Sequence, residues 1–272
     1  MLDDLDHLEH LDRLDRLDPP DHLEQCDLDI GGVTVHVWTT PQQEGPAFVL
    51  VHGLGVSSTY LGPLAAELAE RGRVVLFDLP GFGGTPDPER PFGIEAFASV
   101  VAEAAERLKV ADAVWLGHSM GAQIVVDAVA HHPGVARAVA LASPVVTHGA
   151  RSVRKQTWAF LKSSARERFS EALLSVQGYL RAGLVWPLEV LPAMLEYRVE
   201  ERMPSLTQHL VLLRGSRDAV TPQSWIEELG AAAGAAASVR LVVVAGASHQ
   251  LVVGHAGVVA RELLELAERA AS

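Results

Sequence analysis

Cysteine is almost missing: Cys26 is the only one in 272 residues. No intrachain disulfide can form, which fits a reducing, cytoplasmic setting. No cluster of cysteine and histidine has zinc-ligand spacing, so no metal is expected. No apolar run approaches the roughly 18 residues of a membrane-spanning helix, so no membrane partner is expected. The N-terminus lacks a basic start followed by an apolar segment and does not read as a secretory signal. Basic residues are also scarce, with 22 Lys and Arg against 34 Asp and Glu and a formal charge of −12. That balance offers no electrostatic footprint for nucleic acid. Apolar residues, by contrast, make up 49% of the chain, which supports a globular core.

The negative charge is unevenly spread. Residues 1–29 hold eleven acids against Arg13 and Arg16, so they carry nine of the twelve net charges and the body is close to neutral. Within this leader Leu2, Leu5, Leu8, Leu11, Leu14 and Leu17 recur every third residue. An α-helix turns about 100° per residue, so that step walks the leucines around the whole cylinder and builds no apolar face. Pro19-Pro20 then stops any helix. Residues 1–22 are expected to be a low-complexity, largely disordered leader, with a partner-docking arm or an additional helix laid on the body as the alternative.

Beyond the leader, short apolar runs alternate with helical patterns. Val33–Trp38 alternates like a half-buried strand, and Gly31-Gly32 before it suggests a hairpin turn. Ala47–Val51, Val74–Phe77, Ala113–Leu116 and Ala138–Ala142 read as buried strands. Helical patterns cover Leu61–Arg71, Ile94–Leu108 and Ala122–His131. This alternation predicts an α/β fold, a doubly wound, mostly parallel sheet with helices on both faces. The rhythm breaks over 147–206, where Trp158, Phe160, Phe169, Tyr179, Trp186 and Tyr197 lie on helix-like patterns, and a helical insertion is expected there. Strands return at Leu210–Leu213 and Val239–Val244, and a helix over Val258–Ala270 closes the chain. The core is therefore expected to comprise 23–146 and 207–272.

In a parallel sheet, chemistry gathers past the carboxyl ends of the strands. The residues found there are His52-Gly53-Leu54-Gly55, Asp78-Leu79-Pro80-Gly81-Phe82-Gly83-Gly84-Thr85, Gly117-His118-Ser119-Met120-Gly121, Arg214-Gly215-Ser216-Arg217-Asp218 and Ala245-Gly246-Ala247-Ser248-His249. Serine, aspartate and histidine thus occur along one edge, the set that nucleophilic serine catalysis needs. A strand passing straight into a helix strains its central residue, and Gly117 and Gly121 let the two elements close around Ser119. The N–H of Met120 falls at a helix N-terminus, where donors are free to meet an oxyanion. The N–H of Leu54, after a neighbouring buried strand, is the candidate second donor.

With these motifs assembled, the chain resembles the α/β-hydrolase superfamily, in its branch with a helical cap. HGLG, DLPGFGGT, GHSMG, RGSRDAVTP and GASH carry the resemblance over about residues 25–270. It implies Ser119 as nucleophile, Asp218 as orienting acid, His249 as base, and oxyanion donors at Leu54 and Met120. It implies no cofactor, and 147–206 as the cap.

Blander readings exist for each residue. Ser119 could be a plain helix N-cap, Asp218 a turn residue before Thr221-Pro222, and His255 a rival base. Asp78 is expected to order the Pro80–Gly84 turn, and His52 and His118 to be structural hydrogen bonders. A serine at the elbow argues against the dehalogenase and epoxide hydrolase branches, where the resemblance implies aspartate. The expected activity is hydrolysis of a carboxylic ester or related acyl compound with an apolar part. Thioesters, lactones, β-diketone C–C bonds, peracid formation and a receptor-like binding role remain as alternatives.

Overall fold

The computed structural model describes residues 23–41, 44–110, 112–152, 154–155 and 185–272. The expected leader at 1–22 and the insertion residues Trp158, Phe160, Phe169 and Tyr179 lie outside the described residues.

The chain opens with a hairpin, β1 (Glu24–Ile30) and β2 (Val33–Thr39). Its two-residue turn needs positive φ at both positions, and Gly31 and Gly32 supply 61° and 85°. Then follow β3 (Ala47–Val51), α1 (Gly62–Ala69), β4 (Arg73–Asp78), α2 (Ile94–Arg107), β5 (Ala113–His118), α3 (Met120–His131) and β6 (Ala136–Ala142). Between β6 and β7 the described residues include α4 (Val185–Glu196) and α5 (Val199–Arg202). The chain ends with β7 (His209–Gly215), α6 (Gln223–Ala232), β8 (Ser238–Val244), α7 (Leu251–Gly254) and α8 (Ala256–Ala271). No helix among the described residues is long and apolar enough to cross a membrane.

The eight strands form one sheet in the order β1-β2-β4-β3-β5-β6-β7-β8. Only the β1–β2 and β2–β4 pairs are antiparallel. The central strands are apolar at consecutive positions because both their faces are covered. Val49, Val51, Phe77, Trp115 and Leu141 pack toward α2, α3 and α6. Phe48, Leu50, Leu76, Leu116 and Leu213 face the opposite layer of α1, α7 and α8. The last helix shows the logic from its own sequence: Ala256, Val259, Ala260, Leu263, Leu266 and Ala267 recur at three- and four-residue steps and are the buried ones.

The helical stretch before β7 is fastened to the core at several points. The Trp186 indole donates to the Pro80 carbonyl at 3.1 Å, and the Tyr197 hydroxyl donates to buried Asp127 of α3 at 2.7 Å. Arg151 reaches the carbonyls of Leu195 and Tyr197 and pairs with Glu200 at 2.6 Å.

Candidate active site

β5 ends at His118, and α3 begins at Met120, so Ser119 alone makes the turn. Its backbone sits at φ 56°, ψ −118°, a region that L-residues avoid. Two backbone bonds hold it there: Ser119 N–H donates to Ala142 at 3.0 Å, and Ala122 N–H donates to the Ser119 carbonyl at 3.0 Å. The flanking glycines are required by contact. A Cβ on Gly117 would lie 2.2 Å from the Gly121 carbonyl oxygen, and one on Gly121 would lie 2.3 Å from that of Val51. Both neighbours are main chain, which cannot swing aside.

The strained turn aims the hydroxyl at a ring. His249 Nε2 lies 3.1 Å from Ser119 Oγ, and His249 Nδ1 lies 3.0 Å from Asp218 Oδ2. Asp218 and His249 side chains are almost wholly buried. The other carboxylate oxygen, Oδ1, accepts the N–H groups of Val220 (2.8 Å) and Thr221 (3.1 Å). Burial on its own would raise Asp218. The charge and hydrogen bond of His249, the nearby Ser143 hydroxyl and the Thr221 N–H outweigh it and bring the acid down to about 2. Ser143 makes that contribution from beyond good hydrogen-bonding geometry, since its Oγ has no bonded partner among the described residues. An ionised Asp218 can accept the Nδ1 proton of His249, leaving Nε2 to face Ser119.

Of the sequence candidates, the structure therefore brings Ser119, Asp218 and His249 together. His255 sits instead at the turn between α7 and α8, its N–H bonded to the Leu251 carbonyl. Met120 is the first residue of α3, so its N–H has no acceptor a turn earlier in the helix. The HGLG turn abuts the elbow: a Cβ on Gly53 would stand 3.0 Å from that of Ser119, which places Leu54 one residue from this contact. Among the described residues neither the Leu54 nor the Met120 N–H is spent on a hydrogen bond.

The two neighbouring histidines have defined work. His52 Nε2 accepts the Leu79 N–H at 3.1 Å, so its proton is on Nδ1, which donates to the Gly53 carbonyl at 2.8 Å. In a trans peptide the carbonyl and the following N–H point opposite ways, so this bond turns the Leu54 N–H away from His52. Burial lowers the His52 pKa, against the charge of Asp78 and the hydrogen bond to the Gly53 carbonyl, which both favour the protonated ring. His118 is also fully enclosed. Its Nε2 donates to the main-chain carbonyl of His249 at 2.9 Å, and its ring lies 5.4 Å from Tyr60 and 5.3 Å from His249. Burial, then the nearby His249, hold it down to about 3, so it is neutral.

Asp78 has a wider role than ordering its own turn. Its Oδ1 accepts the Ser58 N–H (2.7 Å) and its Oδ2 the Trp38 indole N–H (2.8 Å). The turn itself is tied by Thr85, whose single hydroxyl proton faces both the Leu79 (2.8 Å) and Phe82 (2.7 Å) carbonyls and whose oxygen accepts the Phe82 N–H. His131, His148 and His209 have partners in Asp127, Glu228 and Ser238.

Fold and site together define a class, and the comparison with known proteins agrees. The alpha/beta hydrolase family model matches residues 48–262, and the chain belongs to that family. A pimeloyl-[acyl-carrier protein] methyl ester esterase of Xanthomonas axonopodis pv. citri is 31% identical over 245 residues, covering 80% of this chain and 94% of that one. A 2-(acetamidomethylene)succinate hydrolase of Mesorhizobium japonicum is 30% identical over 119 residues, 44% of this chain, and the match spans only 42% of that relative's length. Among solved structures, a thermophilic esterase from Thermogutta terrifontis superposes with a TM-score of 0.77 at 18% identity, over 92% of this chain and 100% of that one, a likeness of fold.

Proposed function

We propose that the protein is a serine hydrolase that cleaves a carboxylic ester or related acyl compound through an acyl-enzyme. The observation that carries this reading is the bonded line from Ser119 Oγ through the His249 ring to Asp218, at 3.1 and 3.0 Å. Ser119 attacks the acyl carbonyl as His249 Nε2 takes its proton. Asp218 steadies the ring and its positive form. The N–H groups of Leu54 and Met120 receive the oxyanion, a contribution worth about 3–4 kcal/mol per donor in comparable enzymes. His249 then protonates the leaving group, activates water against the acyl-enzyme and returns the serine. The steps use the chain's own side chains and water.

The esterase name of the Xanthomonas relative supports an ester as the bond broken. Residues 147–206 are read as the cap over this site, and the seating of Trp186 on the Pro80-Gly81 turn supports an apolar wall for the substrate. Fluorophosphonate labelling tests the reading: prompt one-to-one capture, abolished in Ser119→Ala, is expected. An unreactive serine would favour a ligand-binding protein instead. A panel of p-nitrophenyl esters, thioesters and lactones, run against Ser119→Ala, ranks the bond types.

A further inference from the structure

We propose that Arg214 is a positioning residue that keeps the Asp218 carboxylate in line with His249; this rests on reading Asp218 as the orienting acid. Arg214 is the second-to-last residue of β7, and at 8% exposure its charge is buried. Burying a guanidinium is costly, and an apolar residue would pack that strand position more cheaply. Its donors go to main-chain carbonyls: Nε to Thr221 at 2.8 Å and Nη2 to Asp218 at 3.0 Å.

Both contacts fall on the Asp218–Thr221 stretch of the loop that presents the acid. Thr221 is held twice, giving its N–H to Asp218 Oδ1 and its carbonyl to Arg214. Asp218 is also held twice, through Oδ1 from within the loop and through its carbonyl from the strand. The loop's internal bonds fix its shape but not its place. The guanidinium fork ties the Asp218–Thr221 stretch in place, because it is rigid, planar and rooted in an interior parallel strand. Ser216 N–H to Val244, Arg217 N–H to Ala247 and Gly246 N–H to Ser216 Oγ (2.9 Å each) anchor the start of the loop, whereas the Asp218–Thr221 stretch has besides Arg214 the Asp218 N–H to Gly215 (3.1 Å) and the Thr221 hydroxyl to Pro144 (3.3 Å), the last long for a hydroxyl donor. Arg214 does not touch the reacting atoms; it acts through Asp218.

The test is the rate of fluorophosphonate capture by Ser119 as a function of pH, together with thermal unfolding, in Arg214→Lys, Arg214→Gln and Arg214→Met. Lysine keeps the charge but loses the fork, and a carboxylate displaced by about 1 Å costs up to about 100-fold. The expected result is a loss of about 10- to 100-fold in Arg214→Lys, with the acid limb of the profile moved to lower pH, since a misplaced Asp218 gives the protonated ring less support. A role through charge alone predicts the reverse pattern. It leaves Arg214→Lys unchanged and moves the acid limb of Arg214→Met to higher pH, because a removed cation makes ring protonation easier; that pattern overturns the proposal. Equally, a lowered melting temperature with full capture rate in Arg214→Lys and Arg214→Gln makes Arg214 merely structural and overturns it. Should Arg214→Met fail to fold, the Lys and Gln variants decide alone. Asp218→Asn, run in parallel, separates the two levels. Full activity there removes the underlying reading, while a dead Asp218→Asn beside fully active Arg214 variants removes this inference only.

Discussion

Acid should destabilise this protein through the histidine next to Ser119. His118 is completely buried and held at about 3 against an ordinary value of 6.5. Its folded pKa is depressed, so its stability contribution is complete above about 6.5 and is lost as pH falls toward about 3. Over that window the unfolded chain takes up the proton and the folded one refuses it. At about pH 5 the unfolded histidine is protonated roughly 30 to 1, which costs about 2 kcal/mol of stability relative to about pH 8. The chain has 12 histidines, so only a difference between variants isolates this one. His118→Phe keeps an aromatic ring beside Tyr60 but removes both the titration and the bond to the His249 carbonyl. Losing that bond costs about 1 kcal/mol at every pH and leaves the slope untouched. Urea unfolding at several pH values between about 8 and 5 should therefore show the variant losing about 2 kcal/mol less than the parent. Equal pH slopes in the two proteins would refute the argument.

Three further outcomes follow from the geometry. Under the proposed mechanism Ser119→Ala and His249→Ala should each lower kcat by about a thousandfold or more with unchanged far-ultraviolet circular dichroism, because members of a Ser-His-Asp triad act as a unit. Gly121→Ala places a methyl group 2.3 Å from one main-chain oxygen and 2.6 Å from another, so urea unfolding should show a loss of about 3 kcal/mol or more. Gly134→Ala meets nothing within 4 Å and serves as the control, with a change within about 0.5 kcal/mol. Tyr197→Phe removes a 2.7 Å hydroxyl bond to buried Asp127 and should cost about 1.5–3 kcal/mol by urea unfolding.

Where the chemistry is local, the sequence announces it. The GHSMG elbow is legible because a strand, a lone turn residue and a helix leave glycine as the only fit on either side, and the neighbouring carbonyls bear that out. The strand rhythm is legible because central parallel strands must be apolar at every position. Contacts between distant segments are not written in any window. Asp78 reads as a local turn residue, yet its partners lie 20 and 40 residues earlier. Arg214 looks like an unremarkable polar position at a strand end, and only tertiary burial sets it apart; His118 reads as a structural hydrogen bonder, but its partner, the His249 carbonyl 131 residues later, is not legible. Helix α6 (QSWIEELGAA) escaped the pattern reading, since glycine and alanine blur its apolar face.

Three strand ends deliver three side chains to one point because the sheet's hydrogen-bond ladder continues past the strands themselves. Ser119 N–H donates to Ala142 at the end of β6, Ser143 N–H donates to Leu213 of β7, and Ser216 N–H donates to Val244 at the end of β8. Each step crosses to the next parallel neighbour. The loops carrying Asp218 and His249 are then stitched to each other by Arg217 N–H on the Ala247 carbonyl (2.9 Å) and Gly246 N–H on Ser216 Oγ (2.9 Å). A ring that must hold 3 Å contacts on both sides tolerates little error, and flexible loops would spread that error over each member separately. Here Ser119, Asp218 and His249 draw their relative positions from a single sheet, with Arg214 tying the Asp218–Thr221 stretch to it. That is why Ser143, whose N–H carries the ladder from β6 to Leu213 of β7, belongs with the candidate site.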